Sequence, residues 1–292
     1  MLINKKKNFW DILQTLINFW NKKGVIPLQS IDTPVGAGTF HPETFFKSIG
    51  PNPYSNIYVQ PCRRPSDGRY GINPNRLQYY YQLQLVIKPA PINIQEMYLN
   101  SLKKINISLE MNDIRFIEDN WENPTLGASG VGWEVWINGM EITQFTYFQN
   151  VGGTECNPVT VEITYGLERI CMHIQNKKSI YDCIWMNNKN YTITYRDLFY
   201  KNEKEQSQYN FIYSDTKLLI NLFQLHKKEC KRLLTLKNPL IFPAYEHFLY
   251  ANHNFNLIEA KKIFSVTERQ KYILQLRMLS KLAATIYLNK YS

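Results

Sequence analysis

The stretch from Tyr58 to Lys88 limits what this chain can fold into more than any other. It holds four arginines, Arg63, Arg64, Arg69 and Arg76, around a loop of Pro, Gly, Asn and Asp, and leads into alternating apolar positions from Tyr79 to Ile87. Turn formers between two period-two runs predict a strand, a basic loop and a second strand. Arginines fixed at the end of a sheet suit a polyanion, because the planar guanidinium binds phosphate bidentately and stays charged at any cellular pH. A nucleotide is the expected guest.

The flanking segments build a mixed architecture. Phe9, Ile12, Leu13, Leu16, Ile17 and Trp20 fall at helical spacing before Lys22-Lys23-Gly24, which predicts a helix from Phe9 to Asn21. Val35-Gly36-Ala37-Gly38-Thr39 carries two glycines that allow close approach of the backbone to a ligand. A short helix is expected at 44–49, ended by Gly50-Pro51-Asn52-Pro53, and another at 93–104. Strands are expected at 114–117, 132–137 and 142–148, with Asn138-Gly139 as a hairpin signal between the last two. Thr164 to Arg169 reads as a strand end feeding a helix at 170–175. From about Tyr181 the character changes: Asn187 to Asn190 reads as an exposed turn, and helical patterns follow at 218–234, 244–252, 258–263 and 265–289. The last opens with Ser265 and Glu268 at capping-box spacing. Mostly antiparallel strands with helices after them predict an α+β fold.

Composition narrows the function classes. At 292 residues and 44% hydrophobic content the chain can bury a sizeable core. No apolar run approaches the roughly 18 residues that a membrane span needs, and the N-terminus lacks the apolar stretch of a leader, so a cytoplasmic protein is expected. Five cysteines without a C-x-x-C pair predict free thiols, and five scattered histidines give no metal-ligand spacing. A formal charge of +10 favours a polyanionic partner, although the abundance of Lys, Asn, Ile and Tyr also reflects compositional bias.

Several segments together carry a family resemblance. They are Val35 to Thr39, Arg63 to Lys88, Asp113-Ile-Arg-Phe116, Trp121 to Gly127, Gly132 to Trp136, Gln144 to Gln149, Glu162 to Arg169 and Ser265 to Gln270. In that order they resemble the class II aminoacyl-tRNA synthetases, in the form of the alpha subunits of bacterial two-subunit glycyl-tRNA synthetases. The resemblance implies a class II antiparallel sheet core flanked by helices over residues 1–180, a connecting segment at 181–214 and an all-helical domain at 215–292. It also implies the activation of glycine with ATP to glycyl-adenylate and pyrophosphate, followed by transfer of glycine to the 3′ end of tRNA(Gly). The implied partners are a second alpha chain and a larger beta subunit, in an alpha2beta2 tetramer.

Adenylation requires little acid or base chemistry. The substrate carboxylate is already ionised and attacks the α-phosphate itself, so fixed positive charge around the phosphates supplies most of the catalysis. The resemblance makes Arg64 the arginine that bridges α-phosphate and attacking carboxylate, and Arg169 the one that holds the far phosphate. Arg69 and Arg76 would grip pyrophosphate or the tRNA end, and Tyr81 would stack on adenine. Tyr79, Tyr80 and Tyr81 are consecutive, so only alternate rings share a strand face. Glu162 is implied as the anion for the glycine ammonium and Trp121 as a pocket wall, with Thr39, Gln82 and Gln144 as polar neighbours. Mg2+ would bridge the phosphates, with Glu134 and Gln144 as candidate ligands. Two positions depart from the family pattern: Ser129 replaces an expected tryptophan and Asn112 an expected histidine. Two rival readings stand beside this one: a tRNA-binding or scaffold subunit without catalysis, and an amino-acid adenylating ligase that serves another carrier.

Overall fold

The structure, a computed structural model, describes residues 7–291; Met1 to Lys6, read above for a leader, lie outside that range. The first helix, α1 (Phe9–Asn21), starts where the apolar spacing places it. The Asn8 side chain accepts the Asp11 N–H at 2.8 Å while Asp11 accepts the Asn8 N–H, a reciprocal cap. The buried stripe is Phe9, Ile12, Leu13, Leu16 and Trp20, and the Trp20 Nε1 donates to the Tyr165 hydroxyl at 3.0 Å.

Seven strands form one sheet: β1 (Ile26–Pro27), β2 (Tyr54–Arg63), β3 (Tyr79–Lys88), β4 (Ile114–Asn123), β5 (Ala128–Ile137), β6 (Met140–Val151) and β7 (Thr154–Gly166). Their order is β1-β2-β3-β7-β6-β5-β4, and every pairing is antiparallel except β1 with β2. The expected hairpin at Asn138-Gly139 is present, with both residues at positive φ. The decisive feature is non-local: β7 returns between β3 and β6. Glu162 is therefore in register with Val86 on one side and Thr146 on the other, and Thr164 with Gln84 and Gln144.

Alternation gives the sheet two different faces. Leu83, Leu85, Val161, Ile163, Tyr165 and Phe145 point into a core covered by α1, α3 (Ile94–Lys104) and α4 (Leu167–Gln175). On the opposite face the middle of the sheet stays open. Toward one end, α2 (Pro42–Ser48) joins three long helices, α6 (Thr216–Leu234), α7 (Ile241–Ala260) and α8 (Val266–Tyr291), in a second core. That core brings together Phe45 and Phe46 of α2, Phe148 and Val151 of β6, and Tyr245, Phe248, Ala284 and Tyr287 of the C-terminal helices.

The sequence reading and the structure part company in a few places. The expected helices at 244–252 and 258–263 are one helix, α7. Asn252, Asn254 and Asn256 interrupt its hydropathy, yet the first two are buried. Residues 181–214 hold a hairpin of β8 (Ile184–Asn187) and β9 (Thr192–Thr194), then α5 (Tyr195–Gln208) and a π-helical turn at Tyr209–Tyr213. All five cysteines are free and buried. Among the described residues, no helix is long and apolar enough to cross a membrane.

Candidate active site

The open face of the sheet carries a cleft of about 340 Å³, lined by Arg64, Arg76, Tyr80, Gln82, Glu141, Gln144, Thr164, Glu168 and Arg169 among others. Its basic wall begins where β2 ends. The Arg64 backbone N–H donates to the Gln78 carbonyl at 2.7 Å, which closes the neck of the arginine loop. The Arg64 Nε donates to the Gly36 carbonyl at 3.1 Å, and its guanidinium lies 5.1 Å from the centre of the Tyr80 ring. Arg169 stands in the first turn of α4, where Nη1 donates to the Glu141 carboxylate at 2.7 Å and to the Glu141 carbonyl at 3.1 Å. Arg76 reaches Asp67 at 4.0 Å and borders the cleft. Arg69 folds back on its own loop instead, donating to the carbonyls of Ser66 and Gly68.

Tyr81 is displaced from the role the sequence reading gave it. Its ring packs on the covered face of the sheet against Phe9, Trp185 and Phe199. Period two puts Tyr80, Gln82 and Gln84 on the open face, and the cleft aromatic is Tyr80, whose hydroxyl donates to the Gly36 carbonyl at 3.2 Å. The alternation visible in the sequence could have found it.

Two residues before Thr164 of the cleft wall, on the same face of β7, Glu162 is buried at the centre of the sheet. The Thr39 hydroxyl donates toward both carboxylate oxygens, at 2.8 and 3.0 Å, and Gln84 donates its Nε2 to Oε1. Burial pushes this carboxyl up to about 8, and the two donors pull the other way by stabilising the charged form. The Gly38 turn makes this contact fit. A Cβ at Gly38 would fall 2.5 Å from the Gln84 side chain and displace it from Glu162. The Gly38 N–H donates to Gln82 Oε1 at 2.8 Å, so Thr39, Gln82 and Glu162 form one connected unit, as the sequence grouped them.

On the next strand, β6, Gln144 donates to Asp119 of β4 at 2.6 Å, and Trp121, also of β4, rests with its ring 5.6 Å from Phe148. Gly130 and Gly132 on β5 lie in register between these β4 residues and Phe148 and Thr146 of β6, so β5 itself raises no side chain there. The residues that departed from the family pattern sit apart. Asn112 is half-buried and bonds Asn138 and Ser108, and Ser129 stands at a β-bulge in register with Glu122 and Asn150. Sequence reasoning missed Glu168, a buried carboxyl that accepts the Tyr81 N–H at 2.7 Å and the Tyr195 hydroxyl at 3.0 Å. Desolvation raises it to about 7. It also missed Glu141 and Gln84, for which no local pattern gives a signal.

Comparison with known proteins identifies the family of the chain. The family model described as glycyl-tRNA synthetase alpha subunit matches residues 9–292. A curated relative from Buchnera aphidicola subsp. Baizongia pistaciae (strain Bp), named glycine--tRNA ligase alpha subunit, is 60% identical over 291 residues, covering 99% of this chain and 96% of its own. Two solved structures of pyrrolysyl-tRNA synthetase from Desulfitobacterium hafniense align with TM-scores of 0.44 and 0.41, at 10% and 12% identity. Each covers 65% of this chain, and the alignments cover 74% and 77% of those chains. The class defined by the family match is that of the aminoacyl-tRNA synthetases. Within it, this chain belongs to the glycyl-tRNA synthetase alpha subunit family.

Proposed function

We propose that this chain is the catalytic alpha subunit of a glycine–tRNA ligase, which joins glycine to ATP as glycyl-adenylate and then passes it to the 3′ end of tRNA(Gly). The observation that supports the reading is a cleft lined by two arginines, Arg64 and Arg169, on the sheet face that also buries the donor-held carboxylate of Glu162. Glu162 accepts the substrate ammonium. Gln82 and Thr39 fix the backbone turn beside it, and Trp121 and the Gln84 side chain would wall the pocket so that larger amino acids are rejected by clash.

Arg64 bridges the substrate carboxylate and the α-phosphate, where charge develops as pyrophosphate departs. Arg169 holds the terminal phosphate by exchanging its Glu141 partner for phosphate oxygens. Tyr80 stacks on adenine beside Arg64, and Arg76 steadies the leaving pyrophosphate. Arg69, turned into its own loop, is available to the tRNA end once the loop opens. Mg2+ fits this site as a companion of ATP. Glu141 borders the cleft and Glu134 is in register with Gln144, which offers the hard oxygen donors that such an ion takes. Its chemistry there is to neutralise the phosphate oxygens.

In this reading residues 1–180 are the catalytic part, 181–214 connect, and 215–292 serve the assembly. That assembly pairs two alpha chains through the catalytic part and adds a beta subunit that supplies most tRNA recognition, in the cytoplasm. Glycine-dependent exchange between pyrophosphate and ATP, measured on the assembled ligase with alanine and serine as controls, tests the central step. Exchange with glycine alone is expected. Absence of exchange, with or without the beta chain, would overturn the reading in favour of a scaffold subunit.

A further inference from the structure

A third buried carboxylate lies outside the cleft, on a helix that no motif covers. Glu203 of α5 is 3% exposed, and its two oxygens face two different backbone donors. Oε1 accepts the N–H of Arg69 at 3.1 Å, and Oε2 accepts the N–H of Gln78 at 3.0 Å. These amides belong to opposite sides of the arginine loop. The next turn of the helix adds Ser207, whose hydroxyl accepts the Tyr70 N–H at 3.0 Å, and the π-helical turn adds Asn210, whose Nδ2 donates to the Pro65 carbonyl at 3.5 Å. The same helix begins at Tyr195, which donates to Glu168, the neighbour of Arg169. One helix therefore touches both the arginine loop and the start of α4.

The connection from Glu203 to the reacting centre is short. Gln78 gives its N–H to Glu203 and its carbonyl to the Arg64 N–H. We infer that Glu203 is a positioning residue for adenylation: by stapling Arg69 to Gln78 it fixes the closed form of the arginine loop and, through Gln78, the place of Arg64. The inference rests on the proposed function for its catalytic consequence. A carboxylate is required because both donors are N–H groups. An amide in its place would present an NH2 to one of them and leave that backbone group unpaired.

The test is Glu203→Gln in the assembled ligase, beside Glu205→Gln, an exposed change of equal charge on the same helix. Two readouts are taken. Amide hydrogen exchange is expected to show faster exchange at Arg69 and Gln78 in Glu203→Gln alone. Glycine-dependent pyrophosphate exchange is expected to lose roughly tenfold to a hundredfold in kcat, since a misplacement on the order of 1 Å costs that much, with KM raised for both substrates that Arg64 bridges and the melting temperature unchanged. Unaltered amide protection would overturn the inference. So would a lowered melting temperature with kcat of the folded fraction unchanged, which marks a merely structural role. If the parent itself shows no exchange activity, the proposed function fails, while the amide readout still decides whether Glu203 holds the loop.

Discussion

Arg64 and Glu162 define the site at the scale of single residues, and each makes a measurable claim. Removing the Arg64 guanidinium deletes charge aimed at the developing phosphate oxygens, so Arg64→Ala is expected to cost about 10²–10³ in kcat for pyrophosphate exchange. Arg64→Lys is expected to recover little of it, because a point charge cannot span carboxylate and phosphate together. Glu162 predicts a pH dependence. Its carboxyl titrates from an ordinary 4.5 in the unfolded chain to about 8 when folded. The folded state thus holds the proton more tightly. Its contribution to stability is complete below about pH 4.5 and is lost as pH rises through about 8. The melting temperature of the parent should therefore fall relative to Glu162→Gln over that window. Glycine binding needs the ionised form, so KM for glycine should drop as pH climbs toward 8, by about tenfold per unit at most. A flat profile would remove Glu162 from the ammonium site.

These residues were legible in the sequence to different degrees. Arg64, Arg169 and Glu162 stand out through type and motif spacing. Tyr81 lies on the covered face and Tyr80 at the cleft, which the sequence reading did not separate because three tyrosines in a row conceal which face each takes until the register of β3 is known. Glu168 and Glu203 left no trace, since a glutamate in a helix reads as solvated unless its backbone partners, contributed from far along the chain, are in view.

At the scale of elements, helix ends show how polar contacts fix the site from outside. The Lys88 ammonium donates to the carbonyls of Lys47, Ile49 and Gly50, closing the C-terminal end of α2 from the last residue of β3. Lys88→Met would strip those carbonyls of their donor and is expected to destabilise the protein by about 2 kcal/mol, read as a melting temperature lower by several degrees. The helix α1 was placed by its periodicity because its stripe is apolar. The helix α5 was not, because what it buries is Tyr195, Glu203 and Ser207, two of them polar. Periodicity detects hydrophobic faces and is blind to a helix held in place by a carboxylate. The first half of β7 escaped for a related reason: Glu155, Asn157 and Pro158 break the alternation there.

At the scale of the whole molecule, charge and topology matter. A net charge of +10 makes association with tRNA an exchange of condensed counterions, whereas glycine activation involves only small ligands. Raising salt from about 50 to about 200 mM is expected to weaken tRNA charging at least tenfold through KM for tRNA, while pyrophosphate exchange stays nearly level; parallel losses in both would assign the salt effect to the site itself. The return of β7 between β3 and β6 could not be read from local pattern, because strand partners are chosen across the chain. Nor could the sharing of one core between α2 and the last three helices, since their apolar stripes carry no address.

That shared core also sets the order of events on the ribosome. Phe46 stacks on Tyr287 with ring centres 4.6 Å apart, and Phe45 on Tyr245 at 4.7 Å. Partners that close together are separated by most of the described chain, so α2 is made long before α7 and α8. Until α7 and α8 clear the exit tunnel, the emerging α2 has no lid, and its aromatic surface stays open to whatever binds nascent chains. A message cut off before α8 would consequently yield an exposed, aggregation-prone core, and the cell would meet it as a quality-control substrate before any question of catalysis arose.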